Sequence, residues 1–164
     1  MGHVRRRYVP ARADPRLVPA AGGLPAAGAG DLAGARTLAG AGLNGPAKTH
    51  AYPNYVDAAV QVAGGDTATA LARYETALAG PEPAGAIYAG ASALLLGAGQ
   101  RERAVELMES GYARFQEPPS LAVPLIRTYR AVGRQVDADR LAGQCGLRWP
   151  TMKPVCDGEA KGRQ

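Results

Sequence analysis

The sequence predicts an all-α chain of stacked antiparallel helix hairpins, three repeats preceded by a degenerate N-terminal half-repeat. Two observations carry that expectation. A glycine followed five positions later by an alanine occurs at Gly65/Ala70, Gly99/Ala104 and Gly133/Ala138, with a fainter copy at Gly30/Ala35. Those glycines are spaced by 34, 34 and 35 residues, starting from the C-terminal pair, a period that marks stacked helical hairpins. Between them, apolar residues recur at helical spacing and prolines punctuate the unit ends.

Taken in order, residues 1–28 hold Pro10, Pro15, Pro19 and Pro25 among glycines, which predicts a disordered basic leader. Residues 29–50 read as a half-repeat and connection. Asp31 caps a short helix to about Gly40, and Gly42, Asn44, Gly45 and Pro46 end it. The full units span 51–84, 85–118 and 119–152. In the first, Tyr55, Val56, Ala59, Val60 and Ala63 form one helix up to Gly64-Gly65. Asp66 or Thr67 caps a second through Ala70, Leu71, Tyr74, Ala77 and Leu78, closed by Pro81 and Pro83. In the next, Ile87 to Leu96 make the first helix, and Ala104 to Phe115 the second. Leu121 to Val132 and Val136 to Leu147 repeat the plan, ended by Trp149-Pro150. Residues 153–164 lack a helical period and read as a flexible tail.

The recurring positions have physical reasons. Each glycine lies at a tight turn that asks for positive φ or close backbone approach. Each alanine faces the first helix where the pair is closest. A hairpin leaves an apolar face that only its neighbour covers, so stability comes from stacking.

Net charge is +5, but it is uneven: residues 51–118 carry four Lys/Arg against eight Asp/Glu, and residues 1–50 carry seven against two. An acidic middle between basic ends argues against nucleic-acid binding, and no aromatic stacking platform accompanies the basic leader. No apolar run reaches the roughly 18 residues of a membrane span.

The units resemble the tetratricopeptide repeat (TPR) family. The residues that carry the resemblance are Ala58, Gly65, Ala70, Tyr74, Ala77 and Pro81, then Tyr88, Leu95, Gly99, Ala104, Met108 and Gly111. The third unit supplies Leu125, Tyr129, Gly133, Ala138, Ala142 and Pro150. Ser92 and Ile126 depart from it at small positions, Gln61 at an aromatic one, and Cys145 at an alanine. The resemblance implies a right-handed superhelix whose first helices line a concave groove for a peptide or partner helix. Carried over position by position, that groove is lined by Tyr55, Ala59, Val62, Ala89, Ala93, Leu96, Val123, Arg127 and Arg130, an apolar trough with a basic end. Tyr55 and Ala59 stand where the family's carboxylate-clamp members use Lys and Asn.

The expected function is therefore a non-catalytic protein-interaction module, with no cofactor, metal or small-molecule substrate. His3 and His50 have no Cys, Ser or Asp beside them in a nucleophile or zinc pattern. Glu102 and Glu106, an i, i+4 pair, read as a solvated helix face. No Gly-Lys-Ser/Thr phosphate loop occurs. The alternative is an accessory segment of a larger bacterial envelope enzyme whose catalytic domain lies elsewhere. Cys145 and Cys156, the only cysteines, leave two readings open: a bridge stapling the tail over the last hairpin, or two free thiols. As written, the chain shows no export signal and reads as cytoplasmic, with the compartment left open. A start other than Met1, or a bridged cysteine pair, points instead to a bacterial periplasm.

Overall fold

A computed structural model describes residues 29–46, 48–81 and 83–158. The predicted leader, residues 1–28, and the end of the predicted tail lie outside the described residues. Within them the chain forms eight α-helices and no strand: α1 (Ala29–Leu43), α2 (Ala51–Ala63), α3 (Thr67–Ala79), α4 (Gly85–Gly97), α5 (Arg101–Arg114), α6 (Pro119–Ala131), α7 (Gln135–Arg148) and α8 (Lys153–Cys156). A 3-10 turn, Pro150–Met152, precedes α8. Each helix packs against the next in sequence, and α4 also packs on α6, a helical-solenoid arrangement.

The repeat is kept to the residue. Ala51, Gly85, Pro119 and Lys153 each open a helix, 34 positions apart. Gly65, Gly99 and Gly133 have φ of +79°, +75° and +83°. An added Cβ would meet nothing within 4 Å at any of the three, so the left-handed backbone, not crowding, selects glycine there. Ala70, Ala104 and Ala138 are fully buried, as the close approach of each hairpin's helices requires. At the start of α3, Asp66 accepts a hydrogen bond from the Thr69 amide at 3.0 Å, a side-chain cap that satisfies one orphan donor. Hydrogen bonding by the Thr69 side chain, then by its amide, holds the Asp66 carboxyl below its ordinary value.

Three differences from the sequence expectation have physical reasons. Gly30 lies inside α1, which runs to Leu43 rather than Gly40. The helix-favouring alanines carry it through its glycines until Pro46. Gly42 then meets the ring of Pro53, where an added Cβ would sit 2.7 Å from the proline Cβ. The second difference is in α5, which stops at Arg114 because Gln116 and Glu117 take φ of +58° and +59°. The third is the start of the predicted tail, which forms a helical turn with Cys156 fully buried.

Two apolar clusters make the core. One joins Tyr88, Met108, Leu121, Leu125, Ile126 and Tyr129 to Leu141, Cys145 and Cys156. The other, around Tyr74, Ile87 and four alanines, covers the first repeat. That repeat also buries polar groups. Asn54, fully buried, donates to the Lys48 and His50 carbonyls at 2.8 and 2.9 Å, tying down the α1–α2 connection. Asp57 pairs with Arg73 at 2.7 Å.

Candidate protein-docking face

The nine residues of the expected groove fall on α2, α4 and α6 in repeat register: Tyr55, Ala89 and Val123 in one row, then Ala59, Ala93 and Arg127, then Val62, Leu96 and Arg130. Tyr55, Ala59, Val62, Ala89 and Leu96 are half-buried, Ala93 and Arg127 exposed, and Val123 buried. Tyr55 is fixed by tilted contact with Tyr74, ring centroids 6.2 Å apart. Burial, then the nearby Tyr52, raise its phenol above the ordinary value. Tyr52 itself is 63% exposed and extends the apolar row at the α2 end. Sequence reasoning left it out of the groove, although it lies in the first turn of the same helix, three positions before Tyr55.

Charge is sorted between the helices. α4 has no charged side chain, α2 has only Asp57, which is paired to α3, and α6 has Arg127 and Arg130. The second helices, α3, α5 and α7, carry most of the other charged side chains of the three units. Arg103 joins α5 to Glu75 of α3, and Arg134, before α7, joins Glu109 of α5. Glu109 also accepts a hydrogen bond from the Tyr129 hydroxyl at 2.8 Å, and the Arg134 guanidinium lies 4.5 Å from the Tyr129 ring centroid. Burial, with that bond to a carboxylate, pushes the Tyr129 phenol up to about 12.

The two predicted groove cations differ. Arg127 makes no ion pair or hydrogen bond among the described residues. Arg130 is half-buried and donates to the Asp157 carbonyl at 3.3 Å. The turn that holds this carbonyl is anchored by the Cys145–Cys156 disulfide, with Cα atoms 5.9 Å apart.

Clefts occur on the other side of the molecule. One of about 310 Å³ opens between α3 and α5 over Ala91 and Leu95 of α4. Another of about 320 Å³ opens between α5 and α7 over Leu125 and Tyr129 of α6. Glu75, Ala91, Leu95 and Leu107 of the first precede Glu109, Leu125, Tyr129 and Leu141 of the second by 34 positions. They are therefore one inter-repeat space seen twice. None of the nine expected groove residues lines either cleft.

The Ser92 hydroxyl is buried and donates to the Ala104 carbonyl at 3.0 Å. No group of three or more His, Cys, Asp or Glu is placed to hold a metal among the described residues, and no helix there is long and apolar enough to cross a membrane. No family model, no curated protein and no solved structure matches the chain.

Proposed function

We propose that the chain is a TPR-like right-handed superhelix that binds a peptide or partner helix of another protein along the face formed by α2, α4 and α6. It performs no catalysis itself. The observation that carries this reading is the sorting of charge. Three in-register helices present half-exposed tyrosine, alanine, valine and leucine, with no exposed carboxylate and an unpaired arginine at one end. An apolar surface rimmed by polar residues is the usual mark of an interaction site. The left-handed glycines and buried alanines at a 34-residue period support the family resemblance.

A peptide-display selection against the full chain tests it. Ala93 is exposed, so Ala93→Glu leaves the fold intact while placing a charge on the face. Selected peptides are expected to lose at least about tenfold in affinity for that variant, the weight of one buried unpaired charge at an interface. Capture of the same peptides with unchanged affinity by Ala93→Glu refutes the docking face. The disulfide favours a second reading, an accessory segment of a larger bacterial envelope enzyme, because such bonds persist in oxidising compartments. A reading frame continuing upstream of Met1 into a catalytic domain would establish it; a stop codon there removes it.

A further inference from the structure

Resting on the docking face proposed above, we infer that the Cys145–Cys156 disulfide regulates that face by holding a C-terminal turn over Arg130, so that reduction uncovers a second cation beside Arg127. The register explains what the turn is. Lys153 opens α8 where Ala51, Gly85 and Pro119 open the first helices of the three units. Cys156 therefore stands at the position of Tyr88 and Ala122, and Cys145 at that of Ala77 and Gly111. Inside the stack, the corresponding pair of a second helix and the next first helix is Ala77 with Tyr88 or Gly111 with Ala122. At the last unit it is a covalent bond.

The bond is needed because of length. The inner first helices have 13 residues each, whereas α8 has four, fewer than a helix needs to persist by itself. Trp149 and Met152 pack on the core cluster beside it, and Lys153 pairs with Asp157 at 2.6 Å. Beyond α8 the chain turns at Gly158, with φ +86°. There it lies so close to the Arg130 guanidinium that a Cβ on Gly158 would collide with Arg130 Nη1. Arg130 follows Val62 and Leu96 in register, so what is covered is the third row of the face.

Reduction is a thiol–disulfide exchange with a dithiol. Local opening of α8 exposes the buried sulfurs. One reductant thiolate then attacks Cys156 Sγ, and the S–S bond breaks with its electron pair leaving on Cys145 Sγ. The second reductant thiolate attacks the mixed disulfide, releasing Cys156 as thiolate and the reductant as its cyclic disulfide. Two electrons pass to the protein, and each thiolate takes one proton from water. The freed turn melts, and Arg130 joins Arg127 as an accessible cation for an acidic end of the bound segment.

Arginine labelling with phenylglyoxal, read by mass spectrometry, tests the covering without any ligand. In the oxidised full chain Arg130 is expected to label more slowly than Arg127. Dithiothreitol, or the Cys145→Ala/Cys156→Ala variant, should raise the Arg130 rate by about threefold to tenfold, the factor one net hydrogen bond represents. Gly158→Ala in the oxidised chain should raise it too, with both cysteines untouched, which keeps the test decisive if the cysteine variant unfolds. An unchanged Arg130 to Arg127 ratio on reduction and in Gly158→Ala overturns the inference. A fluorescent leucine–alanine peptide ending in two glutamates then reads the face itself, with binding expected to tighten about threefold on reduction. Equal affinity in both redox states overturns the regulation while leaving the face standing. Absence of binding in either state, with Arg130 labelling still redox-dependent, instead overturns the docking face and the regulation that rests on it.

Discussion

Glycines at two kinds of place do opposite work in this chain. Gly65, Gly99 and Gly133 are chosen by backbone angle and have empty space around them. Gly111 is chosen by crowding: an added Cβ would sit 2.6 Å from the Tyr88 ring. Gly111→Ala should therefore cost about 1–3 kcal/mol, as overpacking does. Gly143, in α7, would meet nothing within 4 Å. Gly143→Ala should gain up to about 1 kcal/mol from helix propensity alone. Urea unfolding midpoints of the two variants against the parent check both signs. Tyrosines give a second residue-level prediction. Burial, then the neighbouring Tyr55, push the Tyr74 phenol up to about 12, and Tyr129 is raised as far. The unfolded chain loses these protons near its ordinary 10.0, while the folded chain keeps them. The folded state then binds more protons, and stability falls with rising pH. Their contribution is fully present below about pH 10 and is lost as pH climbs to about 12. Tyr74→Phe and Tyr129→Phe should each flatten the decline of melting temperature across that interval.

At the scale of single helices, the first hairpin is built differently from the other two. Asp57 and Arg73 occupy the positions of Ala91 and Leu107 in the second unit and of Leu125 and Leu141 in the third. An ion pair thus stands where the neighbours have apolar contact. Arg73→Leu alone leaves the Asp57 side chain, 12% exposed, without its cation. It should destabilise by about 1–3 kcal/mol, discounted from a fully buried pair because Arg73 is partly in solvent. Asp57→Ala/Arg73→Leu restores the arrangement of the second unit and should return stability to the parent value or above it. Thermal melts of the single and double variants check this, and a double variant weaker than the single one refutes it. The period made these helices legible from sequence, because turn glycines and small residues repeat at fixed spacing. Pairings across helices were less legible. Nothing in the spacing shows that the Asn54 amide ties two carbonyls of the preceding connection, or that Arg130 faces the Asp157 carbonyl. Register did not show that Val123 would be buried and Ala93 and Arg127 exposed among half-buried groove positions, nor did it show the clefts on the second-helix side. Those clefts depend on how far α3, α5 and α7 stand apart, which local sequence does not encode.

For the whole molecule, stability should be graded along the stack. The core cluster of the second and third units contains Met108, Leu121, Leu125, Ile126 and Leu141 and is closed by the disulfide. The cluster that joins the first unit to α4 has Tyr74 and Ile87 as its large buried members, and its other buried members are alanines. Burial of a large aliphatic side chain is worth about 1.5–3 kcal/mol, whereas alanine contributes far less. In a solenoid each unit touches only its neighbours, so a weak end opens without unfolding the rest. An 11-residue separation between the bridged cysteines adds about 2–3 kcal/mol at the opposite end through loop closure. Native-state hydrogen exchange in low urea should then show α1, α2 and α3 opening together at lower free energy than α5, α6 and α7. The proposed docking face would keep its Arg127 end fixed while its Tyr52–Tyr55 end opens, so a bound peptide should raise protection most in α2. Uniform protection from α2 to α7, moved equally by peptide, would mean that the three units unfold as one block.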